Sequence, residues 1–458
     1  MEWRRINRRF ERHPARMVIY SFALADFIGA LALWLPFSHY GRLSFIDALF
    51  TSTSAICVTG LTVVNTALDF SLWGKIVILI LMQLGGLGVM TFSIFIALGF
   101  KQSWSFSSRL SIQESFLPHF TPEPRTLLFT IFIYTFAAEG LIFLGLWLCF
   151  LRAHFSVGQA FFQALFHAVS AFCNAGFSTL PQGLVAFQHA YALPFLIMLA
   201  ILLGNTGFPI VYELWVYFRK RWRHKRWRFS LHFRLTLGTH LLLVFLGALA
   251  FLWFERNGVL SPFPWPLKIL TALFHSVSAR TAGFNTIDIA RFSEHSIYIF
   301  IALMFVGACP GSTGGGIKTT TLAVLWFTAL SRLRGFHQTI ALKRTIPMDL
   351  VGKAVTLVII SLLVIMTFHF FITLTEPNLP FYKSEHQFLA ALFEVVSALG
   401  TVGLSTGLTP HLNLWGKICI ILAMFVGRVG LLSLLSFLAE AGKEPRPYRY
   451  VEEKVMVG

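Results

Sequence analysis

A single pattern recurs four times along the 458 residues, and it limits the fold more than any other feature. It reads Phe-x-x-x-Ser-Ala and then, a few residues on, Gly followed by Phe or Leu. The copies occupy 50–63, 166–179, 274–286 and 393–406, with their glycines at Gly60, Gly176, Gly283 and Gly403. The third copy is one residue shorter between its Ser-Ala and its glycine, so its turn must differ slightly from the rest. Each copy ends a segment too short to cross a bilayer and lies between apolar runs that are long enough to do so.

The unit is a span, a half-helix, a glycine turn and a returning span. It runs as 17–36, 43–57 and 72–100; as 127–151, 157–173 and 188–218; as 235–254, 266–280 and 296–330; and as 354–375, 385–399 and 413–440. This predicts an all-α polytopic membrane protein: four covalently linked span–pore-helix–span repeats, pseudo-fourfold around one central pore. The parts are a basic cytoplasmic N-terminus (1–16), repeats at 17–100, 127–218, 235–330 and 350–440, and a cytoplasmic tail (441–458). Non-helical backbone is tolerated at membrane depth only where protein buries it or water reaches it, so four such turns must share a cavity.

Composition agrees. The chain is 56% hydrophobic and 12% charged, with a mean hydropathy of +0.70. A net charge of +17 could point to nucleic acid, but segments 1–16, 101–126, 219–234, 332–353 and 442–458 hold 26 of the 37 lysines and arginines. They separate the repeats, as cytoplasmic loops of a multi-pass protein do, and this places both termini in the cytoplasm. No nucleic-acid partner is expected. The run at 219–229 is read as a loop meeting anionic lipid headgroups or a protein partner. Cys57, Cys149, Cys173, Cys309 and Cys419 form no CxxC pair and predict neither a disulfide framework nor a transition-metal site.

The turns carry the chemistry. Main-chain carbonyls converging on one axis can replace the hydration shell of a monovalent cation. Glycine supplies backbone angles closed to other residues, and the half-helices direct their negative ends at the cavity. Thr401-Val402-Gly403 resembles the TVG part of potassium-channel filters, making the predicted pore potassium-channel-like. Val58-Thr59-Gly60, Asn174-Ala175-Gly176 and Thr281-Ala282-Gly283 are looser versions. These twelve residues are the expected ion-binding filter, with K+ as the metal held there. The returning spans share a further glycine, at Gly85, Gly204, Gly307 and Gly427, read as a site of bending or close packing.

Two features qualify as a gate. The third returning span is interrupted at 307–321, where Pro310, Gly311, Gly314, Gly315 and Gly316 disfavour helix and predict an unwound intramembrane loop, with Gly311, Ser312, Thr313, Gly314, Gly315, Gly316 and Lys318 as its gate candidates. A phosphate-binding loop is excluded because Ile317 separates Gly316 from Lys318 and no strand precedes it. Arg428 lies mid-span, where a charge is costly and marks function; the structural alternative is a buried ion pair with Glu139 or another carboxylate. Arg280 is read as a brace behind the third turn, and His167 and His275 as hydrogen-bonding scaffold.

Nearly the whole chain resembles the Trk/Ktr/HKT superfamily of potassium uptake proteins, and within it the membrane subunit of the bacterial Ktr system. The resemblance implies potassium uptake across the bacterial cytoplasmic membrane, a homodimer with one pore per subunit, and a loop and arginine that obstruct the pore. It also implies control by a cytoplasmic nucleotide-binding ring of the RCK type. The nucleotide would sit on that partner, this chain would bind no cofactor, and sodium is a candidate activator. The alternative is a secondary transporter of another small cation such as ammonium or sodium, which predicts two inverted halves rather than four direct repeats. No HExxH or GxSxG motif supports an enzyme.

Overall fold

The computed structural model describes residues 14–99, 124–222, 228–375 and 387–430. The N-terminal stretch 1–13, most of the 101–126 loop, the 431–440 end of the fourth returning span and the 441–458 tail lie outside these. Repeat 1 consists of α1 (Pro14–Trp34), α2 (Phe45–Ile56) and α3 (Leu72–Gly99). Repeat 2 has α4 (Pro124–Arg152), α5 (Val157–Cys173), α6 (Ala192–Asn205) and α7 (Phe208–Trp222). Repeat 3 has α8 (Leu231–Glu255), α9 (Trp265–Ser278), α10 (Glu294–Phe305) and α11 (Thr319–Leu333). A two-residue turn with positive φ at Leu342 and Lys343 joins a small hairpin, β1 (Thr339–Ala341) and β2 (Arg344–Ile346). Repeat 4 follows as α12 (Met348–Thr375), α13 (Gln387–Leu399) and α14 (Leu414–Val429).

Local chemistry sets the helix starts. Ser44, Ser156, Ser230, Ser293 and Asn413 each accept a backbone N–H from the first turn of α2, α5, α8, α10 and α14, satisfying donors that a helix leaves open. Length and composition make Phe129–Arg152, Leu231–Glu255 and Met348–Thr375 membrane spans on their own among the described residues. Their lipid-facing sides remain exposed, with only 22–39% of each apolar window buried.

The returning span of repeat 2 departs from expectation. It is not one straight helix over 188–218: α6 and α7 meet at 93°. Gly207, at φ +79°, and Pro209 two residues on break the ladder of hydrogen bonds. Repeat 3 is interrupted as expected, between Phe305 and Thr319. Its short helix ends at Ser278 rather than 280.

The helices close into a ring. The returning helix of each repeat packs on the short helix of the next: α3 on α5, α6 on α9, α10 on α13, and α14 back on α2. The short helices are largely buried, with Phe50, Phe166, Phe274 and Phe393 of the repeated motif all fully enclosed. At the rim, Lys417 of α14 forms an ion pair with Asp47 of α2 at 2.6 Å, joining the last repeat to the first.

Candidate functional site

The motif serine shapes each turn. Ser54 and Ser397 accept the N–H of Gly60 and Gly403, both at 3.0 Å. Ser170 donates to Phe177 O at 2.8 Å, and Ser278 to Phe284 O. The backbone closes across five residues in three copies: Thr59 N–H to Ser54 O, Ala175 to Ser170 and Val402 to Ser397, at 2.7–2.8 Å. In the shorter third copy Ala282 reaches Ser278 O, four residues back.

The turns use left-handed backbone at two positions each. One is the glycine, with φ of 94°, 70°, 75° and 91° at Gly60, Gly176, Gly283 and Gly403. The other is the first residue of each tripeptide, Val58, Asn174, Thr281 and Thr401, with φ of 54°, 60°, 79° and 49°. Three of these are β-branched, for which such angles are outliers.

The four glycines face one another in chain order. A Cβ on Gly60 would lie 2.5 Å from Ala175 O, and one on Gly176 would lie 2.9 Å from Ala282 O. On Gly283 it would overlap Val402 O, and on Gly403 it would overlap Thr59 O. The middle carbonyl of each tripeptide therefore abuts the glycine of the preceding repeat, and the fourth repeat meets the first. An open cavity of about 230 Å³, bordered by all four glycines with Ser178 and Ser405, lies on one side of this ring.

On the opposite side runs the broken segment of repeat 3. Asn174 Nδ2 donates to Thr313 Oγ1 at 2.6 Å, and Gly315 N–H donates to Thr401 Oγ1 at 3.0 Å. Any side chain at Gly314 would overlap Thr281 Oγ1, and one at Gly315 would overlap Thr401 Oγ1. The loop thus presses on the first residue of three turns. Lys318 folds back, its Nζ donating to Gly314 O at 2.7 Å and Gly315 O at 3.4 Å. Gly311 and Gly316, at φ of 69° and 68°, supply its bends. Ser312 donates to Cys309 O at 2.6 Å and faces the loop itself.

Arg428 is 4% exposed and is not paired with Glu139. Its two terminal nitrogens donate to Thr313 O of the loop and Gly85 O of α3. Glu139 instead accepts from Gln83 at 3.4 Å and from the Cys173 thiol at 3.9 Å. Arg280 is fully buried behind the third turn, as a brace would be: it donates to Gly307 O at 2.8 Å and to His240 O at 3.0 Å, with His240 Nδ1 at 2.8 Å. His167 bonds Gln163 O and Ser178, both at 2.8 Å, and His275 bonds Thr271 O at 3.0 Å. In the fourth copy Glu394 takes this position, accepting from Ser405 and Thr409 at 2.6 Å and from the Thr406 N–H at 3.0 Å.

Three of the second glycines are close-packing sites. A Cβ on Gly85, Gly204 or Gly427 would overlap the carbonyl of Ile56, Phe172 or Leu399, the same motif position each time. Gly307 instead abuts the loop at Gly315. Asn205, beside Gly204, has a role that sequence reading left unassigned. It donates to Arg280 O and accepts from Thr281 Oγ1, both at 3.0 Å, linking repeats 2 and 3. Its signal was present, since Asn205 holds the place in repeat 2 that Arg428 holds in repeat 4.

Residues 4–444 match the profile of the family described as TrkH, cation transport protein. The chain is similar to the Ktr system potassium uptake protein B of Bacillus subtilis, 35% identical over 447 residues and 97% of each chain. It is likewise 35% identical to the potassium/sodium uptake protein NtpJ of Enterococcus hirae, over 451 residues and 97% of each. Its fold matches the potassium transporter TrkH of Vibrio parahaemolyticus with a TM-score of 0.69 at 20% identity, covering 93% of this chain and 85% of that one.

Proposed function

Because this chain belongs to the TrkH family of cation transport proteins, we propose that it takes up potassium through the ring of four glycine turns. It is a membrane transporter and not an enzyme. The observation that carries the reading is the closed order of the turns, in which a carbonyl from each repeat abuts a glycine of its neighbour. A dehydrated monovalent cation at this level is held by main-chain oxygens from Val58–Gly60, Asn174–Gly176, Thr281–Gly283 and Thr401–Gly403. Left-handed backbone before each glycine turns consecutive carbonyls in a way that regular helix or strand does not. Inward flux then follows the membrane potential, at about 2.3 kcal/mol per charge per 100 mV.

The loop at 311–318 and Arg428 form the gate. The loop lies under three of the four turns, and Arg428 ties it to the fourth repeat-to-repeat junction at Gly85. Its guanidinium also repels a cation leaving the ring. Opening therefore requires the Arg428 and Lys318 contacts to loosen. We assign the basic segments to the cytoplasm, where a nucleotide-binding ring acts on a homodimer of this chain. The relative named for potassium and sodium makes sodium a candidate co-ion or activator.

The test is growth rescue of cells lacking potassium uptake at low external potassium, followed by rubidium flux in vesicles. Rescue that is lost on substituting Gly403 or Gly283 by Ser, or that becomes sodium-permeable, supports the ring as the filter. Unchanged cation preference in all glycine variants would overturn it.

A further inference from the structure

The break in repeat 2 places a basic aromatic helix at a right angle to the span that precedes it, and the gate loop is bound at the corner. Helix α7 leaves α6 at 93°. Its first residues are buried (Phe208, Pro209, Ile210), as is Glu213, which accepts the N–H of Ser230 at 2.6 Å and its hydroxyl at 2.8 Å. The other face carries Trp215, Phe218 and Trp222, exposed by 52%, 63% and 89%. Arg219 and Arg221 are exposed beside them, and the Arg219 guanidinium stands 5.4 Å from the Trp215 ring. Tryptophan and arginine together on one face of a helix perpendicular to a span match the headgroup level of a bilayer, where indole and guanidinium meet acyl glycerol and phosphate.

The corner itself is hydrogen-bonded to the loop on both strands of the break. Thr313 N–H donates to Gly204 O and Cys309 N–H to Asn205 O, each at 3.3 Å, while Phe208 N–H donates to Gly311 O at 2.9 Å. A Cβ on Gly207 would overlap Pro310 O, and one on Gly311 would lie 2.8 Å from the Pro209 ring. Backbone freed by the bend is thus what satisfies the unwound loop, so α7 cannot tilt without disturbing the loop under the glycine ring.

We propose that α7 binds anionic phospholipid of the cytoplasmic leaflet through Arg219, Arg221 and the Trp215–Trp222 face, and that this binding holds the gate loop in its blocking position. The gating half of the proposal rests on the potassium-pore reading above; the lipid-binding half does not. Attraction of the leaflet for a helix of this kind is worth roughly fivefold in affinity per basic residue.

The experiment uses the purified full chain. Phosphatidylglycerol retained through detergent exchange is measured for the wild type and for R219Q/R221Q. Both are then reconstituted in phosphatidylcholine alone and in phosphatidylcholine mixed with phosphatidylglycerol, and rubidium flux is recorded. The wild type is expected to retain phosphatidylglycerol and to conduct several-fold more slowly in the mixed vesicles; the double variant is expected to lose the lipid and conduct at the same rate in both. Equal lipid retention by the two proteins, or a lipid response of flux unchanged by R219Q/R221Q, overturns the proposal. So does a change in oligomeric state in the double variant, which would make the face a contact between copies. Absence of wild-type flux in every vesicle strikes the pore reading instead, and lipid retention still decides α7.

Discussion

Val58, Thr281 and Thr401 hold left-handed backbone beside the glycines, at a cost of order 1–3 kcal/mol each. That strain is borne because the motif serine behind each turn and the neighbouring repeat in front leave no relaxed alternative. The glycines are the unsubstitutable part, and to different degrees. At Gly176 an added methyl keeps 2.9 Å to Ala282 O, whereas at Gly403 it falls on Thr59 O. Gly403→Ala is therefore expected to abolish growth rescue at low potassium, and Gly176→Ala to be the mildest of the four; a reversed order would contradict the ring geometry. Arg428 makes a second residue-scale prediction. Its replacement by Gln removes a fork that serves two buried carbonyls, each of which costs about 1–3 kcal/mol when left unpaired. Partner-independent rubidium flux should rise. Lys at this place keeps the charge but cannot span both carbonyls, so its flux should fall between the two. The loop glycines and Arg428 stand out in the sequence because glycine runs and a mid-span arginine are anomalous in a bilayer; the partners of Arg428 do not, since a carbonyl leaves no mark in a sequence.

At the scale of elements, the returning helices meet the short helices through glycine against carbonyl. A Cβ at Gly85, Gly204 or Gly427 overlaps the end of the short helix, and overpacking of this kind costs about 1–3 kcal/mol. Each Ala variant should melt at lower temperature in detergent, while Gly238→Ala and Gly352→Ala, with nothing within 4 Å of the added carbon, should not. A uniform shift across all five would show that packing at these positions is not special. The loop proposed as the gate gives the other element-scale prediction. Deleting Gly314 and Gly315 removes the pair that fits beneath Thr281 and Thr401, and should raise flux without a partner. The register of the second glycines was legible from the motif spacing, and so was the interruption of repeat 3. The corner of repeat 2 was missed although Gly207 and Pro209 mark it, because the apolar run continues through it and length alone reads as one span.

For the whole molecule, closure of the ring joins residues far apart in the chain, as with Asp47 and Lys417 at the rim. This pair is partly exposed at 18% on each side, so it is worth only about 0–1 kcal/mol. Asp47→Asn should lower the melting temperature slightly, and the charge swap D47K/K417D should restore it; a large loss would mean that the rim pair, not the buried glycine contacts, holds the first and last repeats together. The amino-acid sequence by itself determined the helical class, the four copies of the turn and the place where the third returning span unwinds, because glycine, proline and charge are read locally against an apolar background. Tertiary structure alone decided which carbonyl abuts which glycine, how α7 leaves α6, and that the loop meets the turns of repeats 2, 3 and 4. The physical reason is that lipid and protein interior are equally apolar. Hydrophobic pattern therefore cannot say which face of a span meets a neighbour, and only close approach of backbones, resolved in three dimensions, makes that choice.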